Sequence, residues 1–485
     1  MKLKSPKWEP ILTKLKAFLQ TSKPSWMALA LIVVSVFIPN VLRFILITLI
    51  LGYEGLKRWA KNHKRSLHPK LKNGMIIFLV VLILGGSFFE LRFRFFINNI
   101  NHSEQTLSLD FVVLKESTID SFSALEGLTL GVLSDENSIS GTKAPLEILK
   151  TENVSVKQKK YDGYEDLILG LVNHDVDVIV LPSGYKSTFS SIDELAQVMN
   201  QLKTIETSEA TQNVVVPSSN PDVLNLVLIG GDNPIVSKST AGFNYDVIVV
   251  YSLNFKTHES VMLSIPRDSY IYQTCSKKKD KITHSGWQGA DCLTSTLSEF
   301  LGIELSNYML VDFKGLIKIV DSVGGVWIDV PQTIDEQDEN RSFETMIHID
   351  AGYQRLDGQH ALAFLRHRHT LENGALTRSE NHEKFLVALM KQLAKPSSLF
   401  RIPSLFHALE ESVLTNIASK DIYTYYQKGF DVLTLNGIKA ILPTPVTLSG
   451  HDAMIYTPSF GHNLYYYVLD KASVKAAQEA FQAIQ

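Results

Sequence analysis

The sequence predicts an α/β protein in three parts: N-terminal transmembrane helices, a small α/β accessory domain and a second, larger α/β domain. Three observations lead there. Apolar runs flanked by lysine and arginine fill the N-terminal region. From His102 onward, short β-branched strands alternate with helical spacing, the pattern of layered α/β domains. A stretch rich in Ser, Thr, Asn and Pro, Thr207 to Pro221, then separates that alternation from a longer one. The expected boundaries are 1–100 for the basic tail and spans, 102–206 for the accessory domain, 207–221 for the linker and 222–485 for the main domain.

The chain has 485 residues, a net charge of −3 and 45% hydrophobic residues, too long for one domain and ordinary for a globular composition. The near-neutral sum hides an asymmetry: from Met1 to Lys72 the only acids are Glu9 and Glu54. These basic residues flank apolar runs, which points to membrane orientation; no helix-turn-helix pattern supports nucleic-acid binding. The runs are Trp26 to Asn40, Val41 to Leu56 and Met75 to Phe89, each shorter than the roughly 20 residues a spanning helix usually needs. Lys2 to Lys23 and Lys57 to Lys72 both belong inside, so an even number of crossings separates them. About three spans follow: a short hairpin, then a helix that exports everything after about Phe95, with an uncleaved signal peptide plus one long helix as the alternative.

In the exported part, Leu109 to Leu114, Leu128 to Leu133 and Val176 to Leu181 read as strands, while Tyr164, Leu167, Ile168, Leu171 and Val172 recur at helical spacing. Further on, Phe313 to Val323 reads as a helix stopped by Gly324-Gly325. A strand, Val326 to Val330, and a polar exposed loop, Thr333 to Arg341, come next. Cys275 and Cys292 flank one loop, and a disulfide and two free thiols are both open. No CxxC or paired Cys/His spacing suggests zinc.

The chemistry concentrates in two places. Val247 to Leu253 and Ser260 to Ile265 read as an antiparallel hairpin, whose geometry sets Asp246 beside Arg267 and Asp268 at one sheet edge. Another strand-like run, Val223 to Ile229, ends in Gly230-Gly231-Asp232; if it reaches the same edge, two carboxylates and an arginine converge. Carboxylate oxygens are what Mg²⁺ takes, and a guanidinium is what a phosphate takes. The second place is Leu356 to Arg368, where Asp357 caps a helix beginning at Gly358. With extended backbone past Leu365, Arg366 and Arg368 share one face, and His367 and His369 the other. Two guanidinium forks on one face suit a pyrophosphate, and Arg378 adds a third cation. The two histidines read as surface imidazoles rather than a metal pair.

Taken together, Asp232, Asp246, Ser264-Ile-Pro-Arg-Asp268, Lys281-Ile-Thr-His284, Asp321-Ser-Val-Gly-Gly-Val326 and Leu356 to Arg368 resemble the LytR–CpsA–Psr family, over roughly Leu224 to Gln392. The basic N-terminus with three spans and an extra exported domain is similar to the family's streptococcal capsule-locus members. The resemblance implies an α/β sandwich with a central mixed sheet and an apolar tunnel for a polyprenyl chain. It also implies a membrane-anchored, Mg²⁺-dependent (or Mn²⁺-dependent) phosphotransferase facing outward. Such an enzyme takes a capsular or cell-wall glycopolymer from undecaprenyl pyrophosphate and joins it to peptidoglycan through a phosphodiester. The membrane and other capsule-assembly proteins are further implied partners; nucleic acid is not.

By the same carry-over, Asp232 and Asp246 hold the metal. Arg267, Lys281, Arg366, Arg368, Arg378 and Asn244 face the pyrophosphate. Asp246, Asp268 and Arg267 form the catalytic set, with Asp246 or Asp268 as the base. The sequence departs from the family's usual pattern twice: Asn244-Tyr-Asp246 replaces Arg-Ser-Asp, and Asn381-His-Glu383 replaces Arg-Gln-Gln. These departures favour a second reading, a non-catalytic polyprenyl-glycan-binding regulator or scaffold of capsule assembly.

Overall fold

The computed structural model describes residues 40–63, 69–102, 105–136, 138–183, 185–189, 193–212, 220–231, 240–241, 244–338, 345–367, 374–457 and 462–485. They form helices and mixed sheets in two compact units: the chain up to Ile97 with Tyr426–Leu435, and Asn98–Tyr425 with Asn436–Gln485.

In the first unit, α1 (Asn40–Asn62) and α2 (Pro69–Asn99) pack Leu46, Ile50 and Tyr53 against Leu79 and Ile83. α2 runs on past Phe89 because Glu90 and Arg94 stand one turn apart and pair at 3.1 Å. Of the three expected spans, only α2 holds a stretch, Asn73–Asn99, that is long and apolar enough to cross a membrane among the described residues. α1 covers Val41 to Leu56 but becomes charged at Glu54, Lys57 and Arg58. Trp26 to Pro39 lies outside the described residues.

The second unit begins with a five-stranded mixed sheet. Its strands are β1 (Gln105–Leu114), β2 (Thr129–Leu133), β3 (Lys157–Tyr161), β4 (Val178–Pro182) and β5 (Leu202–Gln212), in the order β3-β2-β4-β1-β5. Helices α3 (Ala144–Thr151) and α4 (Tyr164–Val172) accompany it, and α4 buries Leu167, Ile168 and Leu171 as its spacing requires. β5 pairs with β1 as far as Gln105↔Gln212. Residues 207–212, expected in the linker, are therefore strand, held by a full ladder and by threonines that suit one. Residues 213–219 lie outside the described ones.

A seven-stranded mixed sheet organises the rest. Its strands include β6 (Val223–Gly231), β7 (Tyr245–Asn254) and β8 (Glu259–Ser264). A small hairpin, β9 (Tyr270–Gln273) with β10 (Lys278–Lys281), precedes α5 (Ala290–Leu301), β11 (Asn307–Asp312) and α6 (Phe313–Ser322). Then come α7 (Gly358–Arg366), α8 (Gly374–Leu393), α9 (Ile402–Ser412), β12 (Val413–Thr415), β13 (Thr444–Pro445) and, last, α10 (Lys471–Gln482). The sheet order is Asn101–His102, β12, β11, β6, β7, β8, β13, with β6 parallel to β11 and antiparallel to β7.

β6 shows the period-two logic of a covered sheet. Val227 and Ile229 join Leu293, Leu297 and Phe481 in one core, while Leu228 lines a cavity beside α6, α7, α8 and α9. α6 ends as the sequence suggests, with Gly324 and Gly325 at φ +81° and +83°. The stretch expected as a polar loop is instead partly strand: Ile334–Gln337 pairs with Met346–Ile349, turning Ile334 and Glu336 inward. Cys275 and Cys292 are joined, with Cα atoms 5.6 Å apart.

Candidate active site

The hairpin of β7 and β8 pairs Asn254 with Glu259 and Val249 with Ser264. The Ile265 amide extends the ladder by donating to the Ile248 carbonyl at 2.9 Å. Pro266 then opens a turn closed by the Ser269 amide, which brings Arg267 back to the start of β7. Its Nη1 donates to Asp246 Oδ1, and its Nε lies 3.7 Å from Asp268 Oδ2. Lys281, at the end of β10, pairs with Asp268 Oδ1 at 3.0 Å and sits 5.7 Å from the ring centres of Tyr465 and Tyr466. Burial pushes the Asp268 carboxyl up, but Arg267, Lys281 and Arg378 more than offset it and hold it lowered to about 2.

β6 reaches the same edge, with Gly231 opposite Tyr245 and Gly230 opposite Val247. A Cβ on Gly230 would stand 2.9 Å from that of Val247, so the close approach of these strands requires glycine. Asp232 is the next residue in the chain and lies outside the described residues, as does Arg368.

Arg378, buried on α8, donates through Nη2 to the Asp246 carbonyl at 3.2 Å. Arg366 is the last residue of α7 rather than the first of an extended run, because the helix continues until His367 takes extended dihedrals. Its guanidinium lies 5.2 Å from the centre of the Phe313 ring and donates to the Asp338 carbonyl at 2.8 Å. His367 is no surface imidazole: it is buried, with Nδ1 3.2 Å from Glu336 Oε2. His369 lies outside the described residues.

The altered motif positions are packed into the fold. Asn244 Oδ1 accepts from Trp287 Nε1 at 3.0 Å. His382 sits between Ser264 Oγ and the Leu365 carbonyl, each at 3.2 Å. Burial, and then Arg378, lower its pKa to about 3, so it is neutral and brings no cation. Glu383 turns away to accept from the Ser264 amide at 2.9 Å, and burial raises its carboxyl to about 7.

Beside this edge lies an apolar cavity of about 190 Å³. Leu228, Met309, Leu316, Leu362, Phe385 and Leu386 are among its lining residues, and Asp246, Arg366 and Arg378 share the wall. The sequence analysis assigned no residue to an apolar tunnel, although Phe385, Leu386 and Leu389 recur along α8 at helical spacing. Polar groups at one wall of a greasy cavity define a site for an amphiphile with an anionic head. For a divalent ion, Asp246 offers the hard oxygens Mg²⁺ takes, one of them held by Arg267. The donor type fits.

A protein of this class is what the comparisons find. The LytR_cpsA_psr family matches residues 187–483, and the chain belongs to that family. It is 27% identical over 311 residues to the polyisoprenyl-teichoic acid–peptidoglycan teichoic acid transferase TagU of Bacillus cereus, covering 63% of this chain and 92% of that protein. Against TagV of Bacillus subtilis, a transferase of the same description, the identity is 29% over 274 residues, covering 54% and 68%. The crystal structure of Bacillus subtilis TagV matches with a TM-score of 0.45 and 25% identity, covering 55% of this chain and 98% of that one.

Proposed function

We propose that the chain is a transferase that moves a capsular or cell-wall glycopolymer from a polyprenyl pyrophosphate carrier to peptidoglycan, at the outer face of a membrane. The observation carrying this reading is the apolar cavity whose wall includes Asp246, Arg366 and Arg378. A lipid tail inside it leaves a phosphorylated head against guanidinium groups. The activity named for the TagU and TagV relatives supports the same reaction type.

In that reaction an acceptor hydroxyl oxygen bonds to the phosphorus carrying the polymer. The bond from that phosphorus to the bridging oxygen breaks, and polyprenyl phosphate leaves. The protein has little covalent chemistry to do; it aligns the head and neutralises its charge. Arg267, Lys281, Arg366 and Arg378 supply that charge, with Arg368 and the neutral Asn244 as further pyrophosphate contacts in this reading. Asp246 with Asp232 would hold Mg²⁺ or Mn²⁺, which when bound draws charge from pyrophosphate oxygens. Asp268, lowered to about 2, is a weak base and positions Arg267 and Lys281. Asp246, on the cavity wall, is the residue placed to take the hydroxyl proton.

Ile77, Phe78, Val81, Leu84 and Phe88 on α2 are exposed and suit lipid. Basic residues from Lys57 to Lys72 hold its start inside, and Trp26 to Leu56 supplies two further short spans in this reading. The packed positions of Asn244 and the neutral His382 favour one alternative, binding of the lipid-linked polymer without turnover.

Leu386→Trp, which fills the cavity, tests the lipid assignment. Affinity for a polyprenyl pyrophosphate should fall by about tenfold, the cost of displacing about two buried isoprene methylenes. Unchanged affinity would place the tail elsewhere.

A further inference from the structure

The main domain meets the accessory domain across a cleft of about 670 Å³ that the transferase reading does not use. Its lining holds five carboxylates and three lysines, so it draws cations. At its wall stand Glu165 from α4, Asp280 from β10 and His284 from the turn that follows. Their ligand atoms all lie within 4.8 Å of one another. His284 Nδ1 is 3.0 Å from Asp280 Oδ2 and 4.0 Å from Glu165 Oε1. Bonds of 2.0–2.2 Å in a tetrahedral zinc site set neighbouring ligand atoms roughly 3.3 Å apart, so small side-chain movements complete the shell.

The Glu165 carboxylate is the second pointer. The residue is 5% exposed, and among the described residues its carboxylate finds no hydrogen-bond donor except its own amide. Lys278 attracts Glu165 and Asp280 through space without forming an ion pair with either. Two buried carboxylates and an imidazole therefore face one ammonium. Asp280 is already oriented: its Oδ1 accepts from the Lys281 amide at 2.7 Å, and its Oδ2 faces His284 Nδ1, where an ion would come between them.

We propose that Glu165, Asp280 and His284 bind a zinc-class divalent cation that clamps the accessory domain to the main domain. One imidazole nitrogen and two carboxylate oxygens suit Zn²⁺, and the fourth position opens to the cleft. The ion takes the Nδ1 lone pair of the imidazole, leaving its N–H at Nε2. The clamp acts next to the candidate active site, since His284 stacks on Trp287 at 3.9 Å and Trp287 donates to Asn244.

The test uses the full-length chain in detergent, stripped with chelator and titrated with Zn²⁺ alone, with Mg²⁺ as the control ion. One equivalent of Zn²⁺ should bind. Glu165→Gln should weaken it by at least about 100-fold, more than loss of an outer-shell partner costs. Asp246→Asn should leave it in place. Should Glu165→Gln fold poorly, Co²⁺ bound to the unaltered chain should give the intense visible bands of a four-coordinate site. Absence of a tight equivalent would overturn the proposal. Binding that survives Glu165→Gln, or that Asp246→Asn abolishes, would overturn it too.

Discussion

Arg267 sets the terms of the candidate site. Its planar guanidinium lies between two carboxylates, Asp246 and Asp268, while Lys281 holds the far oxygen of Asp268. A lysine cannot reproduce that bridging fork. Arg267→Lys should cut polymer transfer by at least about 100-fold, in the range of removing one preorganised stabilising donor, with a smaller effect on lipid binding. Glu383 carries a pH prediction. Its carboxyl is raised from the ordinary 4.5 to about 7, so the folded state favours the protonated form. That contribution to stability is complete below pH 4.5 and is lost as pH rises through about 7. Glu383→Gln keeps an acceptor for the Ser264 amide and should flatten the decline. Urea unfolding at pH 5 and pH 8 measures it; an unchanged pH slope would assign the decline to other groups. The acidic and basic residues of this edge were legible in the sequence because a hairpin brings its two ends together. The buried pairing of His367 with Glu336 was not, since it joins two elements far apart in the chain.

At the scale of elements, local signals carried furthest. The β7–β8 hairpin, the strand after Gly325 and the α7 cap at Asp357 all follow from short-range spacing. Asp357 Oδ1 accepts from the His360 amide at 3.0 Å, as an N-cap should. α8 escaped the reading because its pattern serves two surroundings: Arg378 turns to Asp246 while Phe385 and Leu386 line the cavity. Composition alone misjudged residues 207–212, where threonine and serine look like linker but sit in a paired strand. The Cys275–Cys292 link ties the β9–β10 hairpin to α5 across 17 residues. Cys275→Ser with Cys292→Ser should destabilise the chain by about 3 kcal/mol, read from urea midpoints with and without reductant. No change on reduction would mean that the thiols are free in solution.

Across the whole molecule, the information hardest to read was how separate stretches meet. Trp287 belongs by sequence to the main domain, yet it packs with Leu167, Ile168 and Phe189 of the accessory domain. Nothing local marks it as the residue that joins them. Trp287→Ala should cost about 3–5 kcal/mol and open the chain to protease between the domains. Equal protease resistance would show that the domains are held by other contacts.

The most direct measurement is transfer itself, using the full chain in detergent with a polyprenyl-pyrophosphate-linked polysaccharide and peptidoglycan, with Mg²⁺ or with chelator, beside Asp246→Ala. The expected result is polymer joined to peptidoglycan by the unaltered protein with Mg²⁺ and lost both on chelation and in Asp246→Ala. Tight binding of the lipid-linked polymer with no transfer by either protein would contradict a catalytic site and leave a binding protein in its place.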